Sequence, residues 1–217
     1  MSRSALAMYD LPEIRPAVEA WWDGLARACR AEGLQQVPRL SWPEDIKALW
    51  RDPALFLSQT CGYPLKTELE GAVRVVATPC YAAEGCSGPF YSSAIVVRAD
   101  DPAARLEDLR GRRAAYNSSD SQSGYNVLRT LVAPLAGGRS FFNSTLESGS
   151  HAGSMAAVAE GRADVAAIDC VTFALHRRHR PAAVAGVEVL RPGTSTPGLP
   201  YVTVASCSEE DLLRLRE

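Results

Sequence analysis

Two Pro/Gly-rich passages, Pro79 to Pro89 and Arg191 to Pro200, interrupt a chain that otherwise alternates apolar strand-like runs with helix-like stretches. Strand–helix alternation predicts α/β units with parallel pairing, and two interruptions with such units on both sides predict two lobes. The first lobe is then discontinuous, residues 1–82 with 195–217, and the second is residues 83–194. A cleft between lobes is the default place for a ligand.

In the first lobe, Ala5 to Tyr9 reads as a strand, and Asp10 with Glu13 resembles a helix start. Ile14, Val18, Trp21, Trp22, Leu25 and Cys29 fall at helical spacing on one face, which assigns both tryptophans to the core, and Gly33 ends the helix. Val37 to Leu40 is a short strand, and Ser41-Trp-Pro-Glu44 has the form of a capping box. Ala54 to Leu57 is a continuous apolar run, as in a strand covered on both faces. Ligands of open α/β sheets bind beyond the carboxyl ends of strands, so Thr60, Gly62 and Tyr63 become pocket candidates, against the simpler reading of a polar turn.

In the second lobe, Tyr91 to Arg98 is rich in β-branched residues, and Arg113 to Tyr116 is a strand running into Asn117-Ser-Ser-Asp-Ser-Gln-Ser-Gly-Tyr125. A helix carrying Val127, Leu128, Leu131, Val132 and Leu135 follows. Helix starts leave backbone N–H groups without partners and carry partial positive charge, so Ser121, Ser123 and the Gly124 amide could converge on an anion. A Ser-rich turn with an N-cap explains the same residues. What shifts the balance is a second polar strand-to-helix turn, Glu147-Ser-Gly-Ser-His151, after the strand Phe141 to Leu146. Asp164 to Ile168 is a buried strand ending at Asp169, which could face a pocket or cap the helix from residue 171. The run His176-Arg-Arg-His-Arg180 reads as the solvated last turn of that helix, with a nucleic-acid patch as the lesser alternative.

A net charge of −2 and a pI near 6.0 give no global attraction to nucleic acid or anionic membrane, so an anion site must be local. No stretch approaches the ~20 apolar residues needed to cross a bilayer, and a soluble protein is expected. Met1-Ser-Arg-Ser leads into only a short apolar run, so the expected setting is cytoplasmic, or periplasmic if a leader was trimmed. Six cysteines in mostly apolar contexts suit free thiols. Cys80 and Cys86 have a spacing that would permit a disulfide but match no zinc or thioredoxin pattern. His151 has no metal-ligating companions in the sequence, and neither a metal nor a cofactor is expected.

Leu106-Glu-Asp-Leu-Arg-Gly-Arg-Arg-Ala-Ala-Tyr116, Asp120-Ser-Gln-Ser-Gly-Tyr125, Gly149-Ser-His-Ala152 and Val158-Ala-Glu-Gly-Arg-Ala-Asp-Val165, in this order and spacing, resemble the phosphate/phosphonate-binding solute receptors of ABC transporters. The resemblance covers about residues 88–170, with only the lobe pattern agreeing outside. It implies a type II periplasmic-binding-protein-like α/β fold: mixed sheets flanked by helices, two lobes closing on a ligand, and binding in place of catalysis. Carried over, Ser121, Ser123, Gly124 and His151 hold the oxyanion, and Gln122 stands where a hydroxyl residue is usual. Tyr91 matches an aromatic that lines the cleft, and Asp169 lies near where an acidic residue meets an amino group, which would suit an aminophosphonate-like zwitterion. A permease is the implied partner. The alternatives are a cytoplasmic sensor of the same fold, or a hydrolase using Ser121 or Ser123, His151 and Asp169 as nucleophile, base and orienter.

Overall fold

The computed structural model describes residues 2–217, which divide into two compact units: the residues up to Pro79 with Gly198–Glu217, and Cys80–Pro197. Residues 80–82 and 195–197, assigned above to the first lobe, belong with the second unit.

The first unit opens with β1 (Arg3–Ala5), α1 (Arg15–Ala31), α2 (Ile46–Trp50), β2 (Leu55–Gln59), α3 (Gly62–Thr67) and β3 (Val73–Ala77). β1 is shorter than the run Ala5 to Tyr9 suggests, because the chain turns through 3-10 helix at Ala7–Tyr9 and again at Pro12–Ile14, where proline presets the backbone angle. α1 buries Trp22, whereas Trp21 is 55% exposed and donates its indole N–H to the Tyr201 hydroxyl at 3.0 Å. A ring with a polar edge satisfies itself there without entering the core. Residues 37–40 contribute a single bridge, Leu40 to Ser4, since Pro38 has no N–H to extend a ladder. α2 begins at Asp45, whose carboxylate accepts from the Ala48 amide, not at Ser41.

The second unit contains β4 (Phe90–Tyr91), β5 (Ser93–Arg98), β6 (Arg113–Tyr116), α4 (Val127–Ala136), β7 (Ser144–Glu147), α5 (His151–Ala159), β8 (Val165–Asp169), α6 (Cys170–His179), β9 (Val187–Pro192) and β10 (Thr196–Pro197). Its five-stranded sheet has the order β7-β6-β8-β5-β9, with β6 parallel to β7 and β8, and β5 antiparallel to β8 and β9. Side chains alternate across a strand, so Ile95 and Val97 of β5 join Val127 and Leu128 of α4 on one face. Ala94 and Val96 join Met155 and Val158 of α5 on the other. Both faces are therefore covered. Phe141 and Phe142 precede β7 instead of starting it; their rings meet edge to face at 5.1 Å, and Phe141 is buried in the α4-side core. β10, inside the second Pro/Gly-rich passage, pairs antiparallel with β4, which directly follows the first.

The chain then returns to the first unit as β11 (Tyr201–Val204) and α7 (Glu209–Arg216), the latter capped by Ser208 as its sequence suggests. β11 inserts between β2 and β3, giving the sheet order β1-β2-β11-β3. β1 and β2 are parallel and β11 is antiparallel to both neighbours, so the sheet is mixed.

Candidate functional site

β6 ends at Tyr116, and the turn after it leads into a turn of π-helix, Gln122–Asn126, that continues directly as α4. π-helical turns recur at functional sites because they re-aim side chains out of helical register. Ser121 is the cap: its hydroxyl oxygen accepts from the Gly124 amide at 3.0 Å. The cap reading and the ligand reading are compatible here, since the hydroxyl keeps its own proton to donate. The Gly124 amide is committed to that cap. Ser121 and Ser123 are 5% and 4% exposed, so neither is an ordinary surface-turn serine.

The second turn brings His151 to the first. It opens α5, with Ser150 as N-cap accepting from the Gly153 amide, and His151 Nε2 lies 2.9 Å from the Ser123 hydroxyl. The two helix starts are thus joined by one side-chain hydrogen bond. Burial holds the His151 imidazole down to about 4, with the Ala167 backbone pulling the other way and His176 adding a smaller downward push. The ring is neutral near pH 7 and presents one N–H and one lone pair. Its Nδ1 is buried without a well-formed hydrogen bond.

Two further residues complete the cluster. Ser93, the first residue of β5 and 1% exposed, donates its hydroxyl to the Ser123 carbonyl oxygen at 2.9 Å and fixes the turn from the sheet side. Asn117 places Oδ1 against the Cα of Gly124, buried and without a hydrogen-bond partner among the described residues. A Cβ on residue 124 would overlap that oxygen and come within 3.2 Å of His151 Cε1, so glycine is needed there for space, not for a special backbone angle. Sequence reasoning passed over both residues. The available signals were a serine in a β-branched run and an asparagine directly after a strand.

The other predicted site residues lie as follows. Gln122 begins the π-helical turn, and its side-chain oxygen accepts from Asn126 Nδ2 at 3.2 Å. Tyr91 is 3% exposed on β4. Asp169 ends β8, pairs in register with Ser93, and caps α6 by accepting from the Val171 and Thr172 amides at 2.8 and 2.9 Å. The capping alternative is therefore realised. Thr60 and Tyr63 belong to the first unit. Thr60 is fully buried, with its amide donating to Pro200 O and its hydroxyl to Cys61 O, and Tyr63 lies on α3, its carbonyl accepting from Thr67. The second unit thus gathers Ser121, Ser123, Gly124 and His151 at one place. Cys80 is exposed, and the sulfur facing Cys86 belongs to Cys170.

Two units, each built on a mixed α/β sheet, give the chain a periplasmic-binding-protein-like fold, which solved solute-binding proteins share. The sequence profile described as ABC transporter, phosphonate, periplasmic substrate-binding protein matches residues 55–217, and the chain belongs to that family. Among similar structures is a binding protein component of an ABC phosphonate transporter, PA3383 from Pseudomonas aeruginosa. It has a TM-score of 0.72 and 18% identity, with 99% of this chain and 72% of that one covered. PhnD1 from Prochlorococcus marinus, solved in complex with methylphosphonate, gives 0.70 and 16%, covering 100% and 82%. XAC2383 from Xanthomonas citri, solved with chloride, gives 0.70 and 17%, covering 100% and 81%. A search of curated proteins returned no significant match. Among the described residues no helix is long and apolar enough to cross a membrane.

Proposed function

We propose that the chain binds a small oxyanion of the phosphonate or phosphate type at Ser121, Ser123 and His151 of the second unit, as the receptor component that hands its ligand to an ABC permease. The observation that carries this is the 2.9 Å Ser123–His151 hydrogen bond between two helix starts. In the Nε2–H tautomer the ring donates to Ser123 Oγ and the Ser123 proton is free for an anionic oxygen beside that of Ser121; in the Nδ1–H tautomer, the one in which the ring donates to the Ala167 backbone, Ser123 donates to Nε2 and Ser121 keeps the free hydroxyl proton. Neutral donors suit an oxyanion that brings its own charge. The family's periplasmic setting favours the periplasm over the cytoplasm.

Binding without turnover is the reading we adopt. A general base works best with a pKa near the working pH, and His151 at about 4 is far below it. Asp169, the orienting residue of a triad, spends Oδ1 on α6 amides. Chromogenic esters and phosphoesters should therefore show no hydrolysis that depends on His151.

Calorimetry against methylphosphonate, 2-aminoethylphosphonate, phosphate and methylsulfonate tests the proposal. Hydrogen bonds to a charged group are worth about 1.5–3 kcal/mol, so Ser123→Ala and His151→Ala should each weaken the best ligand by roughly 10- to 100-fold. Unchanged affinity in both variants, or no binding by any of the four compounds, would sink the assignment. Asp169→Asn keeps a capping oxygen but removes the charge. It should weaken an aminophosphonate and tighten a simple anion if that carboxylate faces the ligand.

A further inference from the structure

We propose that Cys86 and Cys170 are a disulfide-forming pair, and that a small-molecule disulfide of the glutathione type is the co-reactant that oxidises them. Their sulfurs lie 3.5 Å apart although 84 residues separate them in sequence. A bond of about 2.05 Å needs a further approach of roughly 1.5 Å, within the reach of a side-chain rotation and a small loop shift.

The contact is built from both sides. Cys170 is the first residue of α6, held by its amide donating to Ser92 O and by the Asp169 cap directly before it. The segment carrying Cys86 is pressed onto the same place. A Cβ on Gly85 would come within 2.7 Å of Ser92 Oγ and 3.1 Å of Cys170 Cβ, so only glycine lets the backbone approach that closely. The Cys86 amide donates to Ala83 O and closes the turn. Cys80, the partner that sequence spacing suggests, is exposed.

The chemistry is sequential thiol–disulfide exchange. Cys86, the more exposed thiol, attacks one sulfur of the co-reactant as thiolate and expels one thiolate, leaving a mixed disulfide on Cys86. A pocket of about 450 Å³ beside the pair is lined by Cys170 and by Glu84 and Gly85, the two residues before Cys86. The Cys170 sulfur then attacks Cys86 Sγ and expels the second thiolate. In balance, two protein thiols lose two protons and two electrons, and one co-reactant disulfide becomes two thiols. Burial pushes the Cys170 thiol up to about 12, so the second step is slow at neutral pH and accelerates as pH rises.

The test oxidises the full-length reduced chain with glutathione disulfide at pH 8.5, then quenches with acid, alkylates in denaturant and maps peptides. The expected result is a Cys86–Cys170 crosslinked peptide and a Tm raised by several degrees, since closing a long loop restricts the unfolded chain. Cys80→Ser should keep both, and Cys86→Ser should lose both while folding normally when reduced. A Cys80–Cys86 bridge, the same Tm rise in Cys86→Ser, or persistent alkylation of both Cys86 and Cys170 after Cys80 has reacted would each overturn the pair.

Discussion

His151 shows how one partly buried ring couples stability to pH. Its folded pKa of about 4 lies below the ordinary 6.5, so the unfolded chain takes up a proton that the folded one refuses. The contribution to stability is full above pH 6.5 and is lost as pH falls toward 4, on the order of 3 kcal/mol across that span. Urea titrations at pH 7 and pH 5 should therefore show a steeper acid loss in the wild type than in His151→Gln; parallel losses would mean that His151 titrates normally. Gly124 makes a steric case beside it. Gly124→Ala must displace Asn117 Oδ1 or His151, and overpacking of this kind costs about 1–3 kcal/mol. Thermal unfolding of Gly124→Ala should show that loss, and Asn117→Ala in the same chain should recover part of it.

At the level of the element, one cap joins β8 to α6. One Asp169 oxygen satisfies two of the amides that a helix start leaves open, and the side chain is 3% exposed. Asp169→Ala should cost about 0.5–2 kcal/mol in urea denaturation, whereas Asn should retain most of the stability. A ligand role adds a loss of aminophosphonate affinity that capping alone does not produce, so the two measurements separate the roles. The approach to α4 shows a different device: the π-helical turn before it lets Ser121 cap Gly124 while Ser123 faces His151.

For the whole molecule, the decisive fact is the position of β11. It comes last among the strands yet lies between β2 and β3, so the first unit cannot complete its sheet without residues 198–217. The second unit is continuous in sequence and has a core on each face of its own sheet. Residues 80–197 expressed alone should therefore give a dispersed amide NMR spectrum and a cooperative melt. Residues 1–79 alone should not fold, because β2 and β3 would each expose an unpaired edge and Val202 would be missing from their core. A folded 1–79 fragment would contradict the topology.

What the sequence determined by itself were features set by local chemistry. Binary alternation marked most strands and helices, Pro/Gly interruption marked the two passages near the unit boundaries, and polar residues at two strand-to-helix turns suggested that the turns share one place, as the Ser123–His151 contact between them does. The same local logic missed Trp21, whose spacing puts it on the buried face while its ring stays exposed and its N–H reaches the hydroxyl of the buried Tyr201. It also left Asp169 ambiguous, because a carboxylate after a strand reads alike as ligand contact and as cap. Only the tertiary structure decided that β5, through Ser93, holds the Ser123 backbone, that Asn117 packs on Gly124, and that Cys86 faces Cys170 instead of Cys80. Each of these contacts joins residues far apart in the chain or depends on a backbone path around a turn. Periodicity and spacing carry information along the chain, while such contacts are fixed by which strands the sheet sets side by side.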